Sequence, residues 1–107
     1  MTLFAITREA GPGWQDGGAF VQAGANDHVA FMNALAEDGF VLFAGPLAGS
    51  EASRIRVLVI VDSVDDAGVR RRLADDPWAQ DDHLVITSVE PWTLFVGGDR
   101  LAATHES

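Results

Sequence analysis

Apolar positions fall into two patterns along this chain, short unbroken runs and a repeat every three or four residues, and their order predicts the elements. Leu3 to Thr7 is a strand-compatible run that stops before the turn formers Gly11, Pro12 and Gly13, and it predicts strand 1. Glu9 to Ala25 carries five glycines and one proline without sustained periodicity, so it reads as a long loop with Trp14 and Phe20 as anchors. Helical spacing returns at Phe31, Met32, Leu35 and Ala36, with Asn26 or Asp27 as cap and Gly39 as stop. Phe40 to Ala44 is a second strand ended by Gly45-Pro46, and the Gly49-Ser50 loop leads into a third from Arg54 to Val61. Ser63 and Asp66 resemble a capping box opening a second helix that runs to about Asp75 and is closed by Pro77. Leu84 to Val89 is a fourth strand that continues extended through Trp92 toward Val96, and Pro91, which has no ladder donor, suits a sheet edge.

The order is β-α-β-β-α-β, the ferredoxin-like split βαβ pattern: an α+β fold with a four-stranded antiparallel sheet, two helices on one face, and strands 1 and 3 central. Residues 1–96 are expected to form a single domain and 97–107 a flexible tail. A sheet left open on one side should alternate apolar and polar residues, yet Leu3-Phe4-Ala5-Ile6 and Val57-Leu58-Val59-Ile60-Val61 are apolar throughout. Something is therefore expected to cover the second face. A second copy of the sheet, giving a homodimer, is the simplest cover, and the alternative is that the long loop or the tail folds across it.

Composition narrows the function classes. With 48% hydrophobic residues and no low-complexity run, the chain is a packed globule rather than a disordered segment. Sixteen Asp and Glu residues outweigh seven basic ones, all Arg, and the formal charge of -9 argues against nucleic acid and anionic lipid as partners. The one basic cluster, Arg70-Arg71-Arg72, lies between acidic residues and reads as a solvated helix face with i,i+4 pairs. No cysteine is present, which excludes disulfides, thiolate metal sites and cysteine nucleophiles. The first residues carry no basic region and no long apolar run, so neither a signal peptide nor a membrane span is expected, and the cytoplasm is the default location. There is no H-E-x-x-H spacing, G-x-G-x-x-G or P-loop, so no metal and no nucleotide cofactor are expected.

The topology gathers distant residues at one sheet edge: the Arg8 loop, His28 in the first turn of helix 1, the Gly45-Pro46-Leu47 turn, and Asp76-Pro77-Trp78 after helix 2. A histidine with a carboxylate partner has the parts of a general acid/base pair, because the carboxylate fixes the tautomer and stabilises the imidazolium. The plainer alternative is that His28 is an ordinary first-turn residue and Asp76 merely ends helix 2. Arg8, Trp14, Leu47 and Trp78 are the candidate walls of a small-molecule pocket. Trp14, on the glycine-rich loop, is either a lid residue or, with Phe20, simple surface packing. His83 either borders the pocket or is a solvated strand start, and His105 is expected to be inert.

The run from His28 through Phe31-Met32, Leu35 and Gly39 to Ala44-Gly45-Pro46-Leu47, then Val59-Ile60-Val61, Asp75-Asp76-Pro77-Trp78 and Val89-Glu90-Pro91-Trp92, resembles the YCII-related domain family. The resemblance spans about Leu3 to Val96 and rests on order and spacing more than on any single motif. It implies a ferredoxin-like fold of the dimeric α+β barrel group and a catalytic His-Asp pair at His28 and Asp76. It also implies small-molecule chemistry, since the family includes an enzyme that dehydrochlorinates a chlorinated hydroxyquinol. On these grounds the leading expectation is a cofactor-independent lyase or isomerase in which His28 moves a proton and Asp76 orients it. The rivals are a binding or accessory protein without turnover and a purely structural dimer module.

Overall fold

A computed structural model describes residues 2–101. In chain order the elements are β1 (Thr2–Ala10), α1 (Ala25–Glu37), β2 (Val41–Pro46), β3 (Arg56–Ser63), α2 (Asp66–Leu73), α3 (Pro77–Gln80) and β4 (Leu84–Trp92), with single 3-10 turns at Ala19–Val21 and Ser50–Ala52. The four strands form one sheet in the order β2-β3-β1-β4, and every pairing is antiparallel. β1 and β3 are central, as the ferredoxin-like pattern requires, and Pro91 lies in the edge strand β4.

Alternation along the central strands assigns the faces. Phe4 and Ile6 of β1 and Val59 and Val61 of β3 pack with Leu35 of α1 and Val69 and Leu73 of α2 into the main core. Arg8, two residues beyond Ile6, continues that inward row. On the opposite face Ala5 pairs with Ile60, Ile60 with Phe43, Thr7 with Leu58, and Leu3 with Trp92. Phe43, Leu58 and Trp92 there are exposed.

Three local expectations change. First, α1 is capped not by Asn26 or Asp27 but by Gly24, at φ 78° with no side-chain cap. The left-handed turn is one that glycine adopts without steric penalty, and it is set from outside the helix, where the Trp78 indole N–H donates to Ala23 O at 2.8 Å. Second, Pro77 does not simply close α2. It occupies the first turn of α3, where its missing N–H is no loss, and the turn between α2 and α3 gives Asp76 its own capping role. Third, α2 is capped by Asp65, whose carboxylate accepts from the Gly68 N–H, while Ser63 donates to the Asp65 carbonyl.

The strands also run further than their apolar cores, β1 to Ala10, β2 through Gly45-Pro46 and β3 to Ser63, because ladder pairing carries polar positions along. The glycine-rich segment after β1 does not cross the open face. A Cβ on Gly13 would stand 2.3 Å from Asp81 O, so only glycine lets this stretch lie against the α3–β4 turn. At the other end of the sheet residues 98–101 make a helical turn with Leu101 buried, and the remainder of the expected tail, including His105, lies outside the described residues. Of the arginine cluster, Arg70 pairs with Asp66 at i,i+4, whereas Arg72 reaches across to Asp38 of the α1 C-cap and stacks over Phe40. No helix among the described residues is long and apolar enough to cross a membrane.

Candidate site around Asp76

Asp76 is fully buried, and its carboxylate collects three donors from three elements. His28 Nδ1 of α1 lies 2.9 and 2.8 Å from its two oxygens. Arg8 Nη1 of β1 reaches Oδ2 at 2.9 Å, and the Trp78 backbone N–H of α3 reaches Oδ1 at 2.9 Å. Arg8 is 1% exposed and His28 15%, so the imidazole is the more accessible of the two side chains on the carboxylate. The neighbouring Asp75 is exposed and belongs to the surface.

Burial on its own would raise the Asp76 carboxyl. It is outweighed by the His28 hydrogen bond, the charges of Arg8 and His28 and the Trp78 N–H, so the group lies below its ordinary value of 3.8. An ionised carboxylate has no proton to give, so the hydrogen between the two residues sits on His28 Nδ1. That leaves Nε2, on the far side of the ring, as the nitrogen available to a bound molecule.

Trp78 is the floor under this pair. Its indole stacks on the His28 imidazole, with centroids 4.1 Å apart and planes 11° from parallel. Trp14 meets the indole edge-on at 5.4 Å, and His83 lies parallel to it at 5.9 Å. Together Trp14, Ile55, Trp78 and Leu84 make a second small core beside the main one. The cavity above holds about 260 Å³ and is walled by Val29 and Met32 of α1, the Ala44-Gly45-Pro46 end of β2, Ile55 and Trp78, with Arg8 and His28 on its floor and Asn33 and Glu51 as further polar groups.

The structure thus brings Arg8, His28, Asp76 and Trp78 together and separates the other two wall candidates from the cavity. Trp14 is buried beneath Trp78, with its indole N–H donating to Ser53 O at 3.0 Å, so it is a support and not a lid. Leu47 is replaced at the cavity by the three residues before it. Phe20 stands at the rim instead, 89% exposed. Its loop is tied shut by the buried Gln22 side chain, which accepts from Gln15 N at 2.8 Å and donates to Gln15 O at 2.7 Å. His83 is no solvated strand start: it is buried and bonded through Nδ1 to Asp81 at 2.7 Å. Sequence reasoning did not find the roles of Gln22 and Glu51, since nothing in their local pattern says which loop they face. Among the described residues no group of three or more His, Asp or Glu side chains could hold a metal ion.

Comparison with known proteins adds two findings. A family model described as the YCII-related domain matches residues 2–93. Among solved structures, 5-chloro-2-hydroxyhydroquinone dehydrochlorinase from Burkholderia phenoliruptrix AC1100, in complex with 2,5-dihydroxybenzoquinone, is similar with a TM-score of 0.59 and 17% identity over 91% of this chain and 97% of that one. At that identity the likeness is one of fold. No curated protein sequence matches the chain.

Proposed function

Because the chain belongs to the YCII-related domain family, we propose that it is a cofactor-independent enzyme of lyase or isomerase type, which moves a proton on a small ring compound through His28 with Asp76 as its orienting partner. The observation that carries this reading is the imidazole fixed through Nδ1 by a buried carboxylate, beside a cavity whose other walls are mostly apolar. A base held in one tautomer beside a mostly apolar cavity suits removal of a proton from carbon or a phenolic oxygen. The cavity, at about 260 Å³, suits a single substituted ring. The structurally similar protein is by its name a dehydrochlorinase of a chlorinated trihydroxybenzene, and elimination of HCl from such a ring needs a base of this kind.

The test begins with 5-chloro-2-hydroxyhydroquinone as probe substrate, together with any ligand carried through purification and identified by mass spectrometry. Conversion is expected, and His28→Gln is expected to lower kcat/KM at least about a hundredfold. Binding of a ligand without conversion would make the protein a small-molecule binder instead, and conversion unaffected by His28→Gln would remove the histidine from the reaction.

In the same reading the protein works as a homodimer joined through the open sheet face, where Phe43 of β2, Leu58 of β3 and Trp92 of β4 are exposed. Light scattering at micromolar concentration is expected to give twice the chain mass, and Leu58→Glu is expected to shift it toward monomer. A parent protein of single-chain mass would end the dimer proposal.

A further inference from the structure

Arg8 is the least expected residue in the site. It sits at the inward face of a central strand, wholly buried, and only Nη1 has polar partners: Asp76 Oδ2 at 2.9 Å and, weakly, Met32 Sδ at 3.9 Å. Nε and Nη2 are buried without a hydrogen-bond partner among the described residues. Each such orphaned donor costs about 1–3 kcal/mol, and buried ion pairs in general add little over apolar side chains of the same volume. A stable core at this position is served at least as well by a residue such as methionine. What arginine supplies, and an apolar residue does not, is a fixed positive charge on the same Asp76 oxygen that His28 approaches.

We propose that Arg8 is a positioning residue of this site: it acts through Asp76, holding the carboxylate ionised and in one orientation so that His28 keeps its proton on Nδ1 and presents Nε2 to the cavity. This rests on reading His28 as the base. The geometry supports it in two ways. Arg8 and His28 approach the same oxygen, Oδ2, from different elements, at 2.9 and 2.8 Å, while the Trp78 N–H holds Oδ1 at 2.9 Å, so rotation of the carboxylate would break contacts on both sides. The charged or polar groups facing Asp76 are Arg8 from β1, His28 from α1 and the Trp78 N–H from α3, and Arg8 contributes the permanent charge. Without it, this fully buried carboxyl would gain protonated population, and a neutral acid can donate to His28 Nδ1 and so drive the proton to Nε2.

The experiment uses the full chain labelled with 15N in histidine and 13C in aspartate. Ring nitrogen shifts report the His28 tautomer, and the carboxyl carbon reports Asp76 titration, whether or not the protein is an enzyme. In the parent, His28 is expected as the Nδ1–H form when neutral. In Arg8→Met the Nε2–H form is expected to appear and Asp76 to titrate at higher pH than in the parent, while Arg8→Lys, which keeps the charge, returns both toward parental behaviour. If turnover of the chlorinated probe has been found, kcat in Arg8→Met is expected to fall at least about tenfold with KM changed less than about threefold, as for loss of an orienting group. A parental tautomer and parental Asp76 titration in Arg8→Met overturn the proposal. Arg8→Gln is the second variant should the methionine protein not fold. If neither folds, the parent and Arg8→Lys decide: a neutral His28 carrying its proton on Nε2 in the parent, or an Asp76 that titrates at higher pH in Arg8→Lys than in the parent, overturns the proposal, and a His28 carrying it on Nδ1 with Asp76 titrating alike in both supports it. Failure of the catalytic reading alone would show differently, as turnover untouched by His28→Gln while the tautomer and titration change in Arg8→Met as expected.

Discussion

Asp76→Asn is expected to lower the free energy of unfolding at neutral pH by about 3–5 kcal/mol, the usual consequence of removing one member of a buried ion pair and leaving the other unpaired. The partner left behind is Arg8, 1% exposed, with two donors that already lack a hydrogen-bond partner among the described residues, so its charge would be left buried without a paired anion. Asparagine keeps the shape and can still accept from the Trp78 N–H, so the loss isolates the charge and not the cap of α3. Urea unfolding monitored by tryptophan fluorescence measures it. A change below about 1 kcal/mol, the range of exposed pairs, would mean that Asp76 and Arg8 do not meet in the folded protein.

The difference should depend on pH in one direction. Burial would raise the Asp76 carboxyl, but its hydrogen bond to His28 and the nearby charges prevail and place it below the unfolded value. A carboxyl lowered on folding contributes stability that is fully present above its unfolded pKa and is lost as pH falls through the folded one. Parent and Asp76→Asn should therefore differ by a constant amount above about pH 4, in so far as Asp76 sets the difference, and converge as the solution is made more acid. Asp75→Asn, which removes an exposed charge one position away, is expected to change neither stability nor its acid limb appreciably.

Trp78→Ala is the second large effect expected, about 3–5 kcal/mol for loss of a buried aromatic. The indole is central to the small core: it stacks on His28, meets Trp14 edge-on and lies parallel to His83. It also donates to Ala23 O, which fixes the turn at Gly24 where α1 begins. Its removal should therefore loosen the first turn of α1 as well as empty a cavity. Hydrogen exchange at the backbone amides of His28 and Val29 is expected to speed up in Trp78→Ala, and less in Trp78→Phe, which restores a ring under His28 without the indole N–H. Unchanged exchange at these amides would separate Trp78 from the positioning of His28.

The convergence of His28 with Asp76 was legible because topology is a long-range statement that local patterns support. Once the runs at Leu3 and Val57 are strands and the repeat at Phe31 is a helix, one sheet edge has to hold the start of α1 and the end of α2. The misreadings came where a residue type has two local meanings. Pro77 ends one helix and also begins another, and the second meaning is the one that turns Asp76 inward. Trp14 and Phe20 are both aromatic residues in a glycine-rich loop. The first is buried because Gly11 and Gly13 press that stretch against Asp81 and Asp82, and the second is left outside by the Gln22–Gln15 clasp.

Sequence by itself determined the β-α-β-β-α-β order of the main elements, without the short α3, together with the α+β class, the two central strands and the apolar rows that pack beneath the helices. These follow from hydrophobic period and turn chemistry, which act over a few residues and do not depend on the rest of the chain. The tertiary structure alone decided that Arg8 continues the inward row of β1 as a buried charge, that Asp76 and not Asp75 meets it, and that His83 lies beneath Trp78 instead of in solvent. Arginine, aspartate and histidine are surface residues by default, and local pattern gives no sign of a partner far along the chain. Burial becomes tolerable for them when β1, α1 and α3 bring their charges and hydrogen bonds to one point.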